Sequence, residues 1–257
     1  MNAIATTTVA VSRAALMIAL DPEPSGLPRS FVVPADLGLG DAPSPVPAPR
    51  IRTLVPESLR SPKLPGGAYV STSALEAAGL LGLLCDPTLT RVVPRAHTLG
   101  YRVGDAWLRF VPDAVALCRD RGVVAYAFRF TWDRAEPAWQ ATERSLRRAY
   151  REQGVKFVVL TETLTFAKSA RENRRAMLRH RVEDERTRDV EKVRDALALL
   201  GLPTTVEKLR RRARLPVSGG AGRALRCLFG PALAGEIGLD LDRPFGGDTG
   251  IRRGPLA

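Results

Sequence analysis

Apolar positions change their spacing several times along the chain, and the changes mark out its elements. In STSALEAAGLLGLLCD, Ala77, Leu80, Leu81 and Leu84 recur at i, i+3, i+4 and i+7, the spacing of one helix face. Ser71 or Thr72 is placed to cap its start, Asp86-Pro87 ends it, and Gly79 and Gly82 weaken the pattern inside it. RVVPRAHTLGYRV and AWLRFVPDAVAL follow with strand character, joined by a turn at Gly104-Asp105. A third strand-like run, VVAYAFRF, is reached through the turn Arg119-Asp120-Arg121-Gly122. AWQATERSLRRAYREQG returns to helical spacing: Trp139, Leu146, Ala149 and Tyr150 share a face, Pro137 stands near the start and Gly154 closes it. VKFVVLTE is then a continuous apolar run of the kind a buried strand shows. Strand, helix and strand joined by short turns make a βαβ unit, which predicts that VVAYAFRF and VKFVVLTE run parallel. This α/β unit is placed at 51–162.

Residues 163–188, which include AKSARENRRAMLRHRVEDERTR, are polar and basic and read as a solvent-facing helical connector. A third pattern occupies 189–257. Val190, Val193, Leu197 and Leu200 share a helical face that Gly201 ends. Thr204-Thr205-Val206-Glu207 has capping-box spacing for a second helix, VEKLRRRARL. Ser218 starts a third through Ala224, Leu225, Leu228 and Phe229, and EIGLDLDRPFGG alternates as a strand with a Pro/Gly turn. Three short helices and a β-ribbon in this order predict a winged-helix unit. Residues 1–50 carry few charges and proline-rich stretches such as DAPSPVPAPR. An extended, mobile segment is expected there, with a short ordered piece around SFVVPADL.

Composition changes this picture in one respect. Hydrophobic residues at 45% and charged residues at 26% are ordinary for a globular protein of 257 residues. The charge balance is not: 39 Lys and Arg face 27 Asp and Glu, a formal +12. An excess of that size points to nucleic acid ahead of an acidic membrane or protein. It is densest between Thr205 and Ala232, where Lys208, Arg210, Arg211, Arg212, Arg214, Arg223 and Arg226 stand against Glu207 alone. In a winged helix the third helix would enter the major groove with Arg223 and Arg226 on its exposed side, while the 208–214 cluster would grip the DNA backbone. Cys85, Cys118 and Cys227 lie too far apart for a zinc or disulfide framework, and His97 and His180 are too few and too distant for a metal cluster. AALMIAL near the start is short and lacks a cleavage pattern, and no run has the roughly 18 apolar residues of a membrane span. Neither a signal peptide nor a membrane contact is expected, and the expected compartment is the cytoplasm.

The candidate chemistry lies in WLRFVPDAVALCRDRGVVAYAFRF, a hairpin around Asp113. A metal-dependent nuclease can build its site on such a hairpin, with Asp on one strand and Glu-x-Lys on the next. Alternate strand residues share a face, so the second acid and the lysine look at the metal together. Here the matching pair is Ala127 and Arg129. Ala127 offers no ligand, and Arg129 keeps a positive charge but cannot give up its proton. Glu76, on the preceding helix, is the second candidate metal acid beside Asp113.

These residues, with their flanks, resemble the TnsA-type endonucleases, which act beside a transposase in Tn7-like transposition. SLRSPKLPGGAYVSTSALEAAGLLGLLCDPTLTRVV is similar to the family's opening block, with Ser73, Leu75, Glu76, Asp86 and Pro87 fitting its pattern. FVPDAVAL is similar to its Pro-Asp-Phe strand, YREQGVKFVVLTE to its helix-to-strand step, and LDLDRPFGGDTGIR to the end of its C-terminal domain. The resemblance implies a restriction-endonuclease-like PD-(D/E)XK core followed by a winged-helix domain. It implies Asp113 and Glu76 as metal acids for Mg²⁺, DNA as ligand, and a transposase-type or other nuclease subunit as partner. Two family features are altered: Arg95 and Ala96 stand where the family has Gln-Pro, and Ala127 and Arg129 where it has Glu or Gln followed by x-Lys. The expected protein is therefore a DNA-binding member with an impaired centre of Glu76, Asp113 and Arg129, binding Mg²⁺ weakly or not at all. The alternatives are an active Mg²⁺-dependent endonuclease that recruits Asp120 or Asp133, and a protein–protein adaptor.

Overall fold

The computed structural model describes residues 57–257 except 104–105, 121, 166, 181–186 and 217–219, together with two short strands, β1 (Ile18–Ala19) and β2 (Ser30–Phe31), paired antiparallel. The rest of the 1–50 segment lies outside the described residues, as do the Gly104-Asp105 turn and Ser218. The described chain is a mixed α/β protein.

A hairpin of β3 (Ser58–Arg60) and β4 (Ala68–Val70) leads into α1 (Ala74–Cys85). The helix is capped by Ser73, whose hydroxyl accepts from the Glu76 amide, and not by Ser71 or Thr72. Ser71 is buried and bonded to Glu57 instead, and Thr72 donates to Glu76. Nearly every side of α1 is buried. Gly79 makes this possible, since a Cβ there would stand 2.5 Å from the Phe128 ring.

The two long strand-like runs each divide. RVVPRAHTLGYRV becomes β5 (Leu89–Pro94) and β6 (Leu99–Val103), and AWLRFVPDAVAL becomes β7 (Ala106–Phe110) and β8 (Ala114–Cys118). The breaks fall at Arg95, whose φ of 49° turns the chain out of the sheet, and at Val111–Asp113. β6 and β7 form a separate antiparallel hairpin. β9 (Gly122–Arg129) pairs antiparallel with β8, and after α2 (Thr131–Ala135) and α3 (Pro137–Glu152) the chain returns as β10 (Lys156–Thr161), parallel to β9. The sheet order is β10-β9-β8-β5. Alternation on β9 sends Val124, Tyr126 and Phe128 to the α1 side, and Ala125 and Ala127 into the core that Leu146 and Tyr150 of α3 fill.

After α4 (Glu162–Thr165) comes α5 (Lys168–Arg179), which is not the solvent-facing connector its polarity suggests. Ala170, Asn173 and Met177 form a buried stripe, and Met177 joins the core of the C-terminal unit. That unit runs α6 (Thr187–Leu200), β11 (Thr204–Thr205), α7 (Val206–Arg212), α8 (Gly220–Ala234), β12 (Ile237–Leu239) and β13 (Gly250–Arg253), with sheet order β11-β13-β12. The capping box expected at Thr204 does not form. Thr205 caps α7 by accepting from the Lys208 amide, and Glu207 is drawn off by two arginines. Asn173 fastens the loop between β12 and β13, donating to the carbonyls of Leu241 and Arg243 and accepting from the Phe245 amide.

Candidate functional site

Asp113 closes the loop that enters β8, directly beside β9. Its amide donates to the Tyr126 carbonyl at 2.9 Å. Its carboxylate Oδ2 accepts from the Phe128 amide at 2.7 Å and from Arg129 Nη1 at 3.2 Å. The same Nη1 donates to the Phe128 carbonyl at 2.6 Å, and the guanidinium lies 4.5 Å from the centre of the Trp139 ring. Arg129 therefore pairs with Asp113. Burial pushes the Asp113 carboxyl above its ordinary range, although Arg129 and the Phe128 amide pull the other way.

Glu76 is 3% exposed, not the surface residue that a helical glutamate usually is. Oε1 accepts from the Tyr69 hydroxyl at 2.8 Å, and Oε2 from the amide and hydroxyl of Thr72 at 2.6 and 2.7 Å. Arg95 Nε stands 3.5 Å from Oε1. Burial and the bond to Glu76 push the Tyr69 phenol up to about 12, so it stays a donor at neutral pH. The charges of Glu76 and Arg95 are both felt at Asp113, which puts the two acids and two arginines in one electrostatic neighbourhood.

Could these residues hold Mg²⁺? The ion takes about six oxygens in a near-ideal octahedron, usually with one or two carboxylates and water. Both Glu76 oxygens are committed to short hydrogen bonds, and each acid already has a guanidinium beside it. The position that would supply another acid, Ala127, is fully buried among Leu146, Tyr150 and Phe157. Asp120 sits at the far end of β8, about 17 Å away for a five-residue strand. Asp133 lies in α2 and is not among the charges that act on Asp113. Among the described residues no group of three or more His, Cys, Asp and Glu is arranged to hold a metal ion. The donor set does not fit Mg²⁺. Two arginines stand where such a centre needs a cation.

The basic residues of the C-terminal unit divide in two. Lys208, Arg211, Arg212, Arg214 and Arg226 are exposed. Arg210 is held by Glu207 through Nε and Nη2 at 2.8 and 2.9 Å and by the Leu215 carbonyl, with 11% of its side chain exposed. Arg223 does not lie on the open side of α8. It pairs with the buried Asp189 of α6 at 2.5 Å. The apolar face of α8 is accordingly joined to α6 by an ion pair, and its outward face keeps Arg226 alone of the two.

Arg95, Tyr69 and Thr72 belong to the site although no motif marks them. Their only sequence signal is the change from Gln-Pro to Arg95-Ala96 in the resemblance. A second buried polar pair, His97 Nε2 and the Tyr150 hydroxyl at 3.0 Å, lies in the core beneath. Compared with known proteins, the chain matches no family model and no curated protein sequence.

Proposed function

We propose that this chain is a DNA-binding protein with a restriction-endonuclease-like core and a winged-helix unit, TnsA-like in plan, whose nuclease centre is an ion-paired structural centre. The observation that carries this reading is the Asp113–Arg129 pair beside the buried Ala127. Asp113 Oδ2 is taken up by a guanidinium and a backbone amide, which leaves only Oδ1 for a metal, and an arginine cannot serve as a proton-accepting lysine. The order α1, β5, β8, β9, α3, β10, with β10 parallel to β9, supports the first part of the plan. The order helix, strand, helix, helix and two strands, with sheet order β11-β13-β12, supports the second. Exposed Lys208, Arg211, Arg212 and Arg214 on and just after α7 support a phosphate-backbone contact. The protein then works as a DNA-bound scaffold beside a transposase-type or nuclease subunit of a mobile element.

The test is incubation of the full chain with supercoiled plasmid and Mg²⁺ or Mn²⁺, beside a mobility-shift titration across a salt series. Salt-sensitive binding without strand cleavage is the expected result. Metal-dependent cleavage that Asp113→Ala abolishes would overturn it, and so would absence of binding at low ionic strength.

A further inference from the structure

β11 ends where its sequence forces it to. Thr204 pairs with Ile251 and Thr205 with Gly250, so continuing the register would set Pro203 against Arg252 and Leu202 against Arg253. Pro203 has no N–H to donate, and the pairing stops. On its other side β13 remains paired with β12 through Arg253. Among the described residues, no strand pairs with Arg252 and Arg253 on the β11 side. That half-strand borders a groove of about 790 Å³ whose opposite wall is α6.

The groove is apolar at its base and basic at its rim. Leu197 and Ala198 of α6 and Ile237 of β12 line it. Leu202, just past the end of α6, also lines it and is 37% exposed. Arg194 of α6 and Arg253, which shares the Ile237 face of the sheet, stand at the opening against Glu236 alone. Arg252 points to the opposite face, where its stem lies over Gly238, 3.0 Å from the place a Cβ would take.

We propose that this groove binds an acidic, extended segment of a partner protein, which adds to the open half of β13. Strand addition supplies backbone hydrogen bonds, an aliphatic side chain seats against Leu197 and Ile237, and carboxylates meet Arg194 and Arg253. A nucleic-acid backbone would use the arginines but neither the apolar base nor the strand edge. The site is separate from the α7 cluster assigned to DNA, and the inference stands whether or not that assignment holds.

The test is selection of a random twelve-residue peptide library displayed on phage against the full chain. Peptides rich in Asp and Glu with aliphatic residues at alternate positions are the expected outcome. Their affinity should fall about tenfold or more in Arg253→Glu and in Ala198→Arg, with the melting temperature and duplex-DNA affinity of both variants unchanged. Selection of no common motif, selection of basic peptides, or acidic peptides indifferent to both substitutions would overturn it. Loss of duplex affinity in Arg253→Glu without peptide enrichment would also overturn it and make the groove a phosphate contact.

Discussion

Arg129 Nη1 stands 3.2 Å from Asp113 Oδ2, and both side chains are about a quarter exposed. The pair is closed on three sides, since the Phe128 amide bonds the acid, the Phe128 carbonyl bonds the arginine, and Trp139 lies under the guanidinium. Removing one member leaves a largely desolvated charge without its partner, which costs more than losing both. Arg129→Met keeps apolar contact with Trp139 and should destabilise the protein by about 1–3 kcal/mol. Asp113→Asn combined with Arg129→Met should recover part of that loss. Urea denaturation of the two single variants and the double variant measures the coupling, and additive losses would mean that the pair is incidental.

The same acid has a pH signature. Because the folded protein raises the Asp113 carboxyl, it holds a proton more readily than the unfolded chain does. Stability from this group therefore falls as pH rises from the ordinary carboxylate value through the raised one. Arg129→Met removes the main charge opposing the shift, so it should steepen the fall, and Asp113→Asn should abolish it. Denaturation midpoints between pH 3 and 7 check this.

His97 behaves in the opposite sense. Burial lowers it from 6.5 to about 4, so between those values the unfolded chain takes up a proton that the folded protein refuses. Its contribution is complete above about pH 6.5 and is lost as pH falls toward 4, on the order of 3 kcal/mol. His97→Gln should flatten this part of the stability profile while keeping a polar group near the Tyr150 hydroxyl. An unchanged slope over that interval would place the proton uptake on another group.

Two glycines on α1 should respond with opposite signs. A Cβ at Gly79 meets the Phe128 ring at 2.5 Å, whereas one at Gly82 meets nothing within 4 Å. Alanine is the better helix former by about 1 kcal/mol at either position. Gly82→Ala should raise stability by about 0.5–1 kcal/mol. At Gly79 the gain is outweighed, because the obstacle is a buried ring and not a flexible side-chain end, and a net loss of about 1–3 kcal/mol is expected. Thermal melts of the two variants decide it.

Gly79 also illustrates what the pattern of residues does and does not carry. Period and punctuation, being local, located α1, α3, β9 and β10 and the parallel pairing of the last two strands. They ran β5 into β6 and β7 into β8, because the break at Arg95 comes from a left-handed backbone on a residue that rarely adopts one. The nearness of Arg129 to Asp113 was legible from strand alternation and hairpin spacing. The burial of Glu76 was not, since Tyr69, Thr72 and Arg95 reach it from three different segments. Arg223 was misplaced for the same reason: Asp189, 34 positions away, turns it inward.

That division within the basic residues yields a last prediction. Arg212 and Arg214 are exposed, while Arg210 and Arg223 are held by Glu207 and Asp189. If α7 meets the DNA backbone, Arg212→Ala and Arg214→Ala should each weaken duplex binding and lower the slope of affinity against salt by about one. Neither should change stability by more than about 0.5 kcal/mol. Arg223→Ala should do the reverse, leaving Asp189 buried without its partner and lowering stability before it touches the salt slope. Fluorescence-anisotropy titrations at several salt concentrations, beside thermal melts, separate the two groups. Equal salt slopes for wild type and the Arg212 and Arg214 variants would remove α7 from the interface.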